Sequence, residues 1–354
     1  MRKKLWVALS MIVVILTISA CGKANTEGEQ KNQEDDLKER KETDVQDPEY
    51  VIKYAFTTPL ESIQGQGAQD FADRVAEKTG GRIEVQLYPS AQLGDKIANM
   101  EGLRTGTVDM TDIAASDMSN FNQRWSVFSL PYVFETADEV RKVVHDEAVE
   151  EMLNADLEKA GFKVLAWWNM GGRSVMNTKC AIHIPEDAKG IKIRVMQDQV
   201  LAKAMEAMGF SAVSMGWSEV YTALQQGTID AFENSAPLCY DNNMYEVAKY
   251  FSLTEQFRIP DPQLISLKFF ESLPDDLQEA LVEAGQENEE WQFAKFVEYE
   301  QECMEKLKEE GVNINEVDKT LFIEATKDIS ELYFESAPED APELYEAMRS
   351  ATGK

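Results

Sequence analysis

Residues 190–234, GIKIRVMQDQVLAKAMEAMGFSAVSMGWSEVYTALQQGTIDAFEN, switch repeatedly between a two-residue and a helical hydrophobic period. That switching constrains the fold more than any other feature of the chain. The stretch reads as strand, helix, loop, helix, strand. Its first helix presents Leu201, Ala204, Met205 and Met208 on one face and stops at Gly209. Its second presents Val220, Ala223 and Leu224 and stops at Gly227. Both are short amphipathic helices with punctuated ends. The same grammar runs through 50–114. Tyr50–Phe56 is a strand, and Pro59 opens a helix carrying Ala68, Phe71, Ala72 and Val75, which Gly80-Gly81 stops. Arg82–Tyr88 is the next strand, followed by a helix with Ile97, Met100 and Leu103, a stop at Gly106, and strand Val108–Ala114. Strands separated by helices of this length form βαβ crossovers, so the expected class is α/β with a mainly parallel sheet.

Further along, Thr136 and Glu139 form a capping box that starts a helical run to about Ala160, ended by Gly161. Lys163–Trp168 is a strand, and Gly171-Gly172 breaks the chain before Arg173. Residues 244–268 hold short strand-like runs interrupted by Pro260 and Pro262. From Ser272 to Glu310 the pattern is mostly helical; even thirty such residues span roughly 45 Å, longer than one small domain. A helix of that length braces two domains. The last helices carry Leu321, Phe322, Ala325, Ile329, Leu332 and Tyr333. With 354 residues the chain is long enough for two domains.

The net charge of −29 argues against nucleic acid or an anionic lipid surface as partner, since both need a basic footprint. Residues 1–20 read as a targeting leader: Arg2, Lys3 and Lys4 precede the apolar run Leu5–Ile18. The leader ends in Ile18-Ser19-Ala20-Cys21, which resembles a bacterial lipobox with Cys21 as the lipidated residue; an ordinary signal peptide is the alternative. Cleavage there removes three cations and no acid, bringing the charge near −32. Residues 22–48 are too poor in apolar side chains to offset their ordering entropy and read as a disordered tether. Cys180, Cys239 and Cys303 match no metal or redox spacing, and His145 and His183 are the only histidines. A histidine-based metal site or catalytic triad is therefore poorly supplied, and the expectation is no metal and no cofactor.

Against that background Arg194 stands out. It lies in a strand whose alternate residues Ile191, Ile193 and Val195 are apolar, on the opposite face with Lys192 and Met196. Its planar fork matches a carboxylate with two parallel hydrogen bonds. The plain alternatives are a salt bridge to an internal acid or a snorkelling surface arginine. The same alternatives hold for Arg173, after its two glycines. Trp217, just before a helix start at Ser218, offers a flat apolar face for a sugar ring or carbon skeleton, or else is a core tryptophan. Asn234, after Glu233 at a strand end, can donate to a ligand oxygen or form a turn.

Together, GIKIRV and VYTALQQGTIDAFEN resemble the signature of solute-binding proteins of tripartite ATP-independent periplasmic (TRAP) transporters, the dicarboxylate-type (DctP) family. YPSAQLGD at 88–95 and WSVFSLPYVF at 125–134 match further stretches of it, in the family's order, so the resemblance covers roughly 50–335. It implies a type II periplasmic-binding-protein-like fold: two α/β domains, a central ligand cleft between them and a long helix bridging both. The implied boundaries are 49–170 plus 260–300 for domain I and 171–259 plus 301–345 for domain II, with 346–354 as a C-terminal tail. The family's carboxylate-pairing arginine falls on Arg194, a second cleft arginine on Arg173, its aromatic on Trp217, and its E-N pair on Glu233 and Asn234. Ser235-Ala236-Pro237 departs from the proline many members carry directly after that asparagine.

ENSAPLCYDNNMYEVAKYFSLTE and DMTDIAAS at 109–116, ending in Ser116, are similar to the subgroup that binds hexuronates. The implied function is extracytoplasmic capture of glucuronate or galacturonate, without catalysis. Delivery would be to TRAP membrane permease subunits, by a protein lipid-anchored in the periplasm or on the outer face of the cytoplasmic membrane. Alternatives are another organic acid (a dicarboxylate, sugar acid or keto acid) or a receptor-linked sensor. A uronate hydrolase or lyase is the enzyme alternative.

Overall fold

The structure, a computed structural model, describes residues 47–353. The leader, Cys21 and nearly all of the tether lie outside the described residues. The chain opens with β1 (Tyr50–Ala55), α1 (Ile63–Thr79), β2 (Ile83–Tyr88), α2 (Lys96–Thr105) and β3 (Met110–Asp112). Two 3-10 stretches, Ala115–Asn120 and Gln123–Ser129, lead to α3 (Ala137–Val144), α4 (Glu147–Ala160) and β4 (Phe162–Trp168). Next come β5 (Arg173–Asn177), β6 (Lys192–Val195), α5 (Gln199–Ala207), β7 (Ser211–Ser214), α6 (Val220–Gln225), β8 (Ala231–Asn234) and α7 (Ala236–Asp241). The rest is β9 (Tyr250–Phe257), β10 (Asp261–Ser266), α8 (Leu267–Glu271), α9 (Asp275–Glu309), β11 (Asn313–Glu316), α10 (Lys319–Thr326), α11 (Ile329–Phe334) and α12 (Ala341–Thr352).

These strands form two sheets. The first is five-stranded, in the order β2-β1-β3-β10-β4; the second is six-stranded, β11-β9-β5-β8-β6-β7. In the first, β1 pairs parallel with β2 and β3, as the βαβ pattern predicts, whereas β10 runs antiparallel to both β3 and β4. In the second, β6 pairs parallel with β7 and β8, while β5 runs antiparallel to β8 and β9. Each antiparallel strand is the one that enters from the other lobe: β5 follows β4, and β10 follows β9. So the carboxyl ends of the parallel strands and the amino ends of β5 and β10 converge on one region between the sheets.

Helix α9, 35 residues or about 52 Å long, ties the lobes together. Leu277, Leu281, Ala284 and Phe296 pack in the core beside the first sheet, and Cys303 and Leu307 in the core beside the second. Several of its polar residues are buried too, because they satisfy the bare backbone of the crossover from β4 to β5. Glu289 accepts from Trp167 N at 2.8 Å, Gln292 accepts from Asn169 N at 2.9 Å and donates to Asn169 O at 2.8 Å, and Glu300 accepts from Gly172 N at 3.2 Å. Gly171 is needed there: its φ is 72°, and a Cβ would stand 2.4 Å from the Glu300 carboxylate.

The structure departs from the sequence reading at several points. Pro59 begins a turn, and α1 starts only at Ile63, where Ser62 Oγ accepts from Gly65 N at 3.0 Å. The run from Thr136 to Ala160 is two helices, because Asp146 caps a new one by accepting from Ala148 N and Val149 N. The loop expected between the helices of 190–234 contains β7, an edge strand of four residues, too short and polar to announce itself. Residues 346–352 are no tail: they are the second half of α12, whose Leu344 and Met348 are fully buried. That helix packs on α3, α4 and the Gln123–Ser129 stretch, so the chain ends against the first lobe.

Candidate functional site

A cavity of about 170 Å³ opens where the strand ends converge. Its lining follows the topology. Thr57 and Thr58 follow β1, Asp95 and Lys96 follow β2, Ala114 and Asp117 follow β3, and Asp261 begins β10. From the second lobe, Arg173 begins β5, Met196 and Gln197 follow β6, Met215, Gly216 and Trp217 follow β7, and Asn234 ends β8. Ligand sites of α/β sheets lie at such carboxyl ends, where loops are free to vary over a rigid frame.

Four of the predicted residues, Arg173, Arg194, Trp217 and Asn234, are on this wall. Glu233 and Ser116 are not. Glu233 is fully buried behind it, where its carboxylate takes both Arg173 Nε at 2.5 Å and Arg173 Nη2 at 2.9 Å. The salt-bridge alternative for Arg173 is thus realised. Ser116 is also fully buried and turns its hydroxyl onto Met196 Sδ at 3.7 Å; its neighbour Asp117 lines the cavity instead.

Arg194 is different. It is buried, yet makes no ion pair among the described residues; Nε donates to Met215 O at 2.9 Å, and its guanidinium stands 5.6 Å from the Trp217 ring centroid. Burial pushes its pKa down; Glu233 pulls it up and Arg173 pushes it down further, and the net direction is down. For Arg173 burial also works against the charge, but Glu233, helped by Asp261 and Asp117, outweighs it and the net direction is up. Trp217 lines the cavity and also packs as a core residue. Its edge packs on Phe232 in the core, Nε1 donates to Asn242 Oδ1 at 3.3 Å, and its ring carries the Arg194 guanidinium. Asn234 uses its side-chain oxygen locally, accepting from Ser235 N at 3.0 Å.

The opposite wall is acidic around one lysine. Lys96 Nζ lies 3.1 Å from Asp261 and 3.6 Å from Asp112. Burial lowers the Lys96 pKa, but Asp261, Asp112 and Asp117 outweigh it and hold the amine charged. Lys96 is the cation that acts most strongly on these acids, and burial still raises all of them, Asp261 to about 7. Sequence reading missed Lys96, Asp117 and Asp261 as wall residues. YPSAQLGD and DMTDIAAS did flag the segments that carry Asp95 and Asp112. Nothing local flagged Asp261, which reaches the site only because β10 crosses from the other lobe.

Two lobes, crossover strands and a central cleft with convergent charged side chains define a binding protein of the type II periplasmic-binding-protein-like class. Residues 54–337 match the profile of DctP, bacterial extracellular solute-binding protein family 7, and the chain belongs to that family. It is 30% identical over 292 residues to the 2,3-diketo-L-gulonate-binding periplasmic protein YiaO of Escherichia coli, covering 82% of this chain and 89% of that one. Two solved TRAP periplasmic solute-binding proteins superpose with TM-scores of 0.81 at 31% identity, covering 85% of this chain and 99% of theirs. One is from a Sulfitobacter species with bound β-D-galacturonate, the other from Chromohalobacter salexigens with bound D-glucuronate. The chain is therefore a transport protein that binds solute, not an enzyme.

Proposed function

We propose that the cleft captures a hexuronate such as glucuronate or galacturonate, with Arg194 as the carboxylate clamp, and delivers it to a TRAP permease. The observation that carries this reading is the asymmetry of the cavity. One wall offers a buried arginine with no internal anion, and the other offers Asp95, Asp117 and Asp261. A carboxylate suits the first wall, because a charge-assisted pair there relieves an unneutralised buried cation. Hydroxyl groups suit the second, because carboxylates are acceptors and a hydroxyl is a donor. A second carboxylate on the ligand would face three acids with a single lysine between them. A sugar acid carries one charge at one end and hydroxyls along the rest, which is the match. The uronates and sugar acids bound by the similar proteins support the same chemistry.

The exterior charge does not oppose capture, since exposed charges beyond about 8 Å are largely screened at physiological salt. Cys21, in its lipobox-like setting, would anchor the protein, with 22–48 as the spacer. The lobes would divide near 170 and 260, with α9 shared between them. A thermal-shift and calorimetric panel tests the reading. Glucuronate and galacturonate should raise the melting temperature, glucose should not, and succinate should bind more weakly than either uronate. Preference for succinate, or equal binding of glucose, would overturn it.

A further inference from the structure

Asp95 and Gly216 meet across the mouth of the cleft. Asp95 caps its own helix, α2, with Oδ1 accepting from Lys96 N at 2.8 Å. Its other oxygen leaves the lobe: Oδ2 accepts from Ser218 Oγ at 2.9 Å and from Ser218 N at 3.3 Å. Ser218 belongs to the 3-10 turn Trp217–Glu219, which has no side-chain cap of its own. A carboxylate from the opposite lobe takes that role and satisfies an otherwise orphaned N–H.

Gly216 shows that the contact is built in. Its φ of −63° and ψ of 156° are extended backbone that any residue adopts, so glycine is not there for conformational freedom. It is there for space, because a Cβ would stand 2.2 Å from Asp95 Oδ2 and meets little else. The same turn carries Trp217, whose ring supports Arg194.

We propose that Asp95 is the latch of the cleft, a positioning residue that caps the Trp217–Glu219 turn across the lobe boundary and so holds Trp217 and Arg194 in place over a bound solute. The proposal rests on the solute being held between the lobes as described above. A latch across the mouth must break before the closed cleft can open, so it acts chiefly on release. Closure also becomes cooperative with the clamp, because one short turn carries both the latch acceptor's partner and the arginine's support.

Gly216→Ala separates the latch from helix capping, since the added methyl meets Asp95 Oδ2, the oxygen that reaches Ser218, whereas the cap on Lys96 N uses Oδ1. Two measurements test it. The first is the inter-lobe distance by electron–electron double resonance between nitroxides at Glu101→Cys and Glu206→Cys, both exposed positions, in a Cys180→Ala background. The second is stopped-flow binding of glucuronate. Gly216→Ala should lengthen the mean distance without solute and speed dissociation about tenfold, with association within about twofold of wild type. Ser218→Ala, which keeps the backbone donor, should shift both in the same direction by less. Unchanged dissociation with an unchanged distance overturns the latch. So does slowed association alone, which would assign Gly216 to solute entry. If the wild-type protein binds no sugar acid, the functional reading fails and the distance measurement alone judges the latch.

Discussion

Arg173 and Arg194 sit on strands that flank β8, line one cavity and are almost equally buried, at 4% and 5% exposed, yet they are built in opposite ways. Arg173 is closed by a two-pronged bond to Glu233, an acid on the strand between them. Arg194 has a backbone carbonyl and an aromatic face and no acid. Two arginines in one low-dielectric region repel, and Glu233 neutralises one of them. The paired arginine gives the wall its shape, and the unpaired one keeps a charge to offer. Lys96 is the opposite extreme, a cation outnumbered by Asp112, Asp117 and Asp261.

The comparison breaks most visibly at Glu233. Glu233→Ala leaves Arg173 buried beside Arg194 without its paired carboxylate, and removing one member of a buried pair costs about 3–5 kcal/mol of stability. Urea unfolding should show that loss directly; a variant as stable as wild type would mean that Arg173 needs no partner. Arg194→Ala should do the reverse. It should weaken glucuronate binding by about 2–5 kcal/mol in calorimetry. Its unfolding free energy should stay within about 1 kcal/mol of wild type, because no internal ion pair is lost. Similar binding and stability losses in both variants would erase the distinction between the two arginines.

The acidic wall gives a test by pH. The Asp261 carboxyl, raised by burial and by Asp112 against the pull of Lys96, titrates at about 7 in the folded protein and in the ordinary carboxylate range when unfolded. Between those values the folded state holds more protons, so this group's contribution to stability falls as pH rises from about 4 to about 7. Asp112 and Asp117 act in the same direction. Asp261→Asn should flatten the urea midpoint over that range, and an unaltered slope would remove Asp261 from the account. The smallest effect is expected at the ring under Arg194. Trp217→Phe should cost about 0.5–1 kcal/mol of binding, since phenylalanine keeps a weaker cation–π face. No change would show that Met215 O alone orients the guanidinium.

Much of this was legible in the chain itself. Strand–helix alternation with glycine stops placed β1 to β3, and the long helical period from Ser272 to Glu310 announced α9 as a brace. Arg194 was conspicuous because an arginine between Ile193 and Val195 has to meet something. The polar half of α9 was not legible. Asn288, Glu289 and Gln292 look like solvent-facing residues by composition, yet all three are buried, because the groups they serve, the Trp168 indole for Asn288 and the crossover backbone for the other two, are distant in sequence. Nor was Ser116 separable from Asp117, since adjacent residues in a 3-10 stretch point in different directions and only packing decides which one faces the cavity.

The sequence alone determined the α/β class, the family and the arginine to watch, because periodicity and local motifs are written in neighbouring residues. Only the tertiary structure decided the roles. It showed that Glu233 spends its charge on Arg173, that Asp261 comes over from the other lobe to face Lys96, and that Asp95 reaches Ser218. The physical reason is the same in each case. Whether a buried charge is free or already satisfied depends on partners tens to hundreds of residues away, and those meet only when the chain crosses between its two sheets.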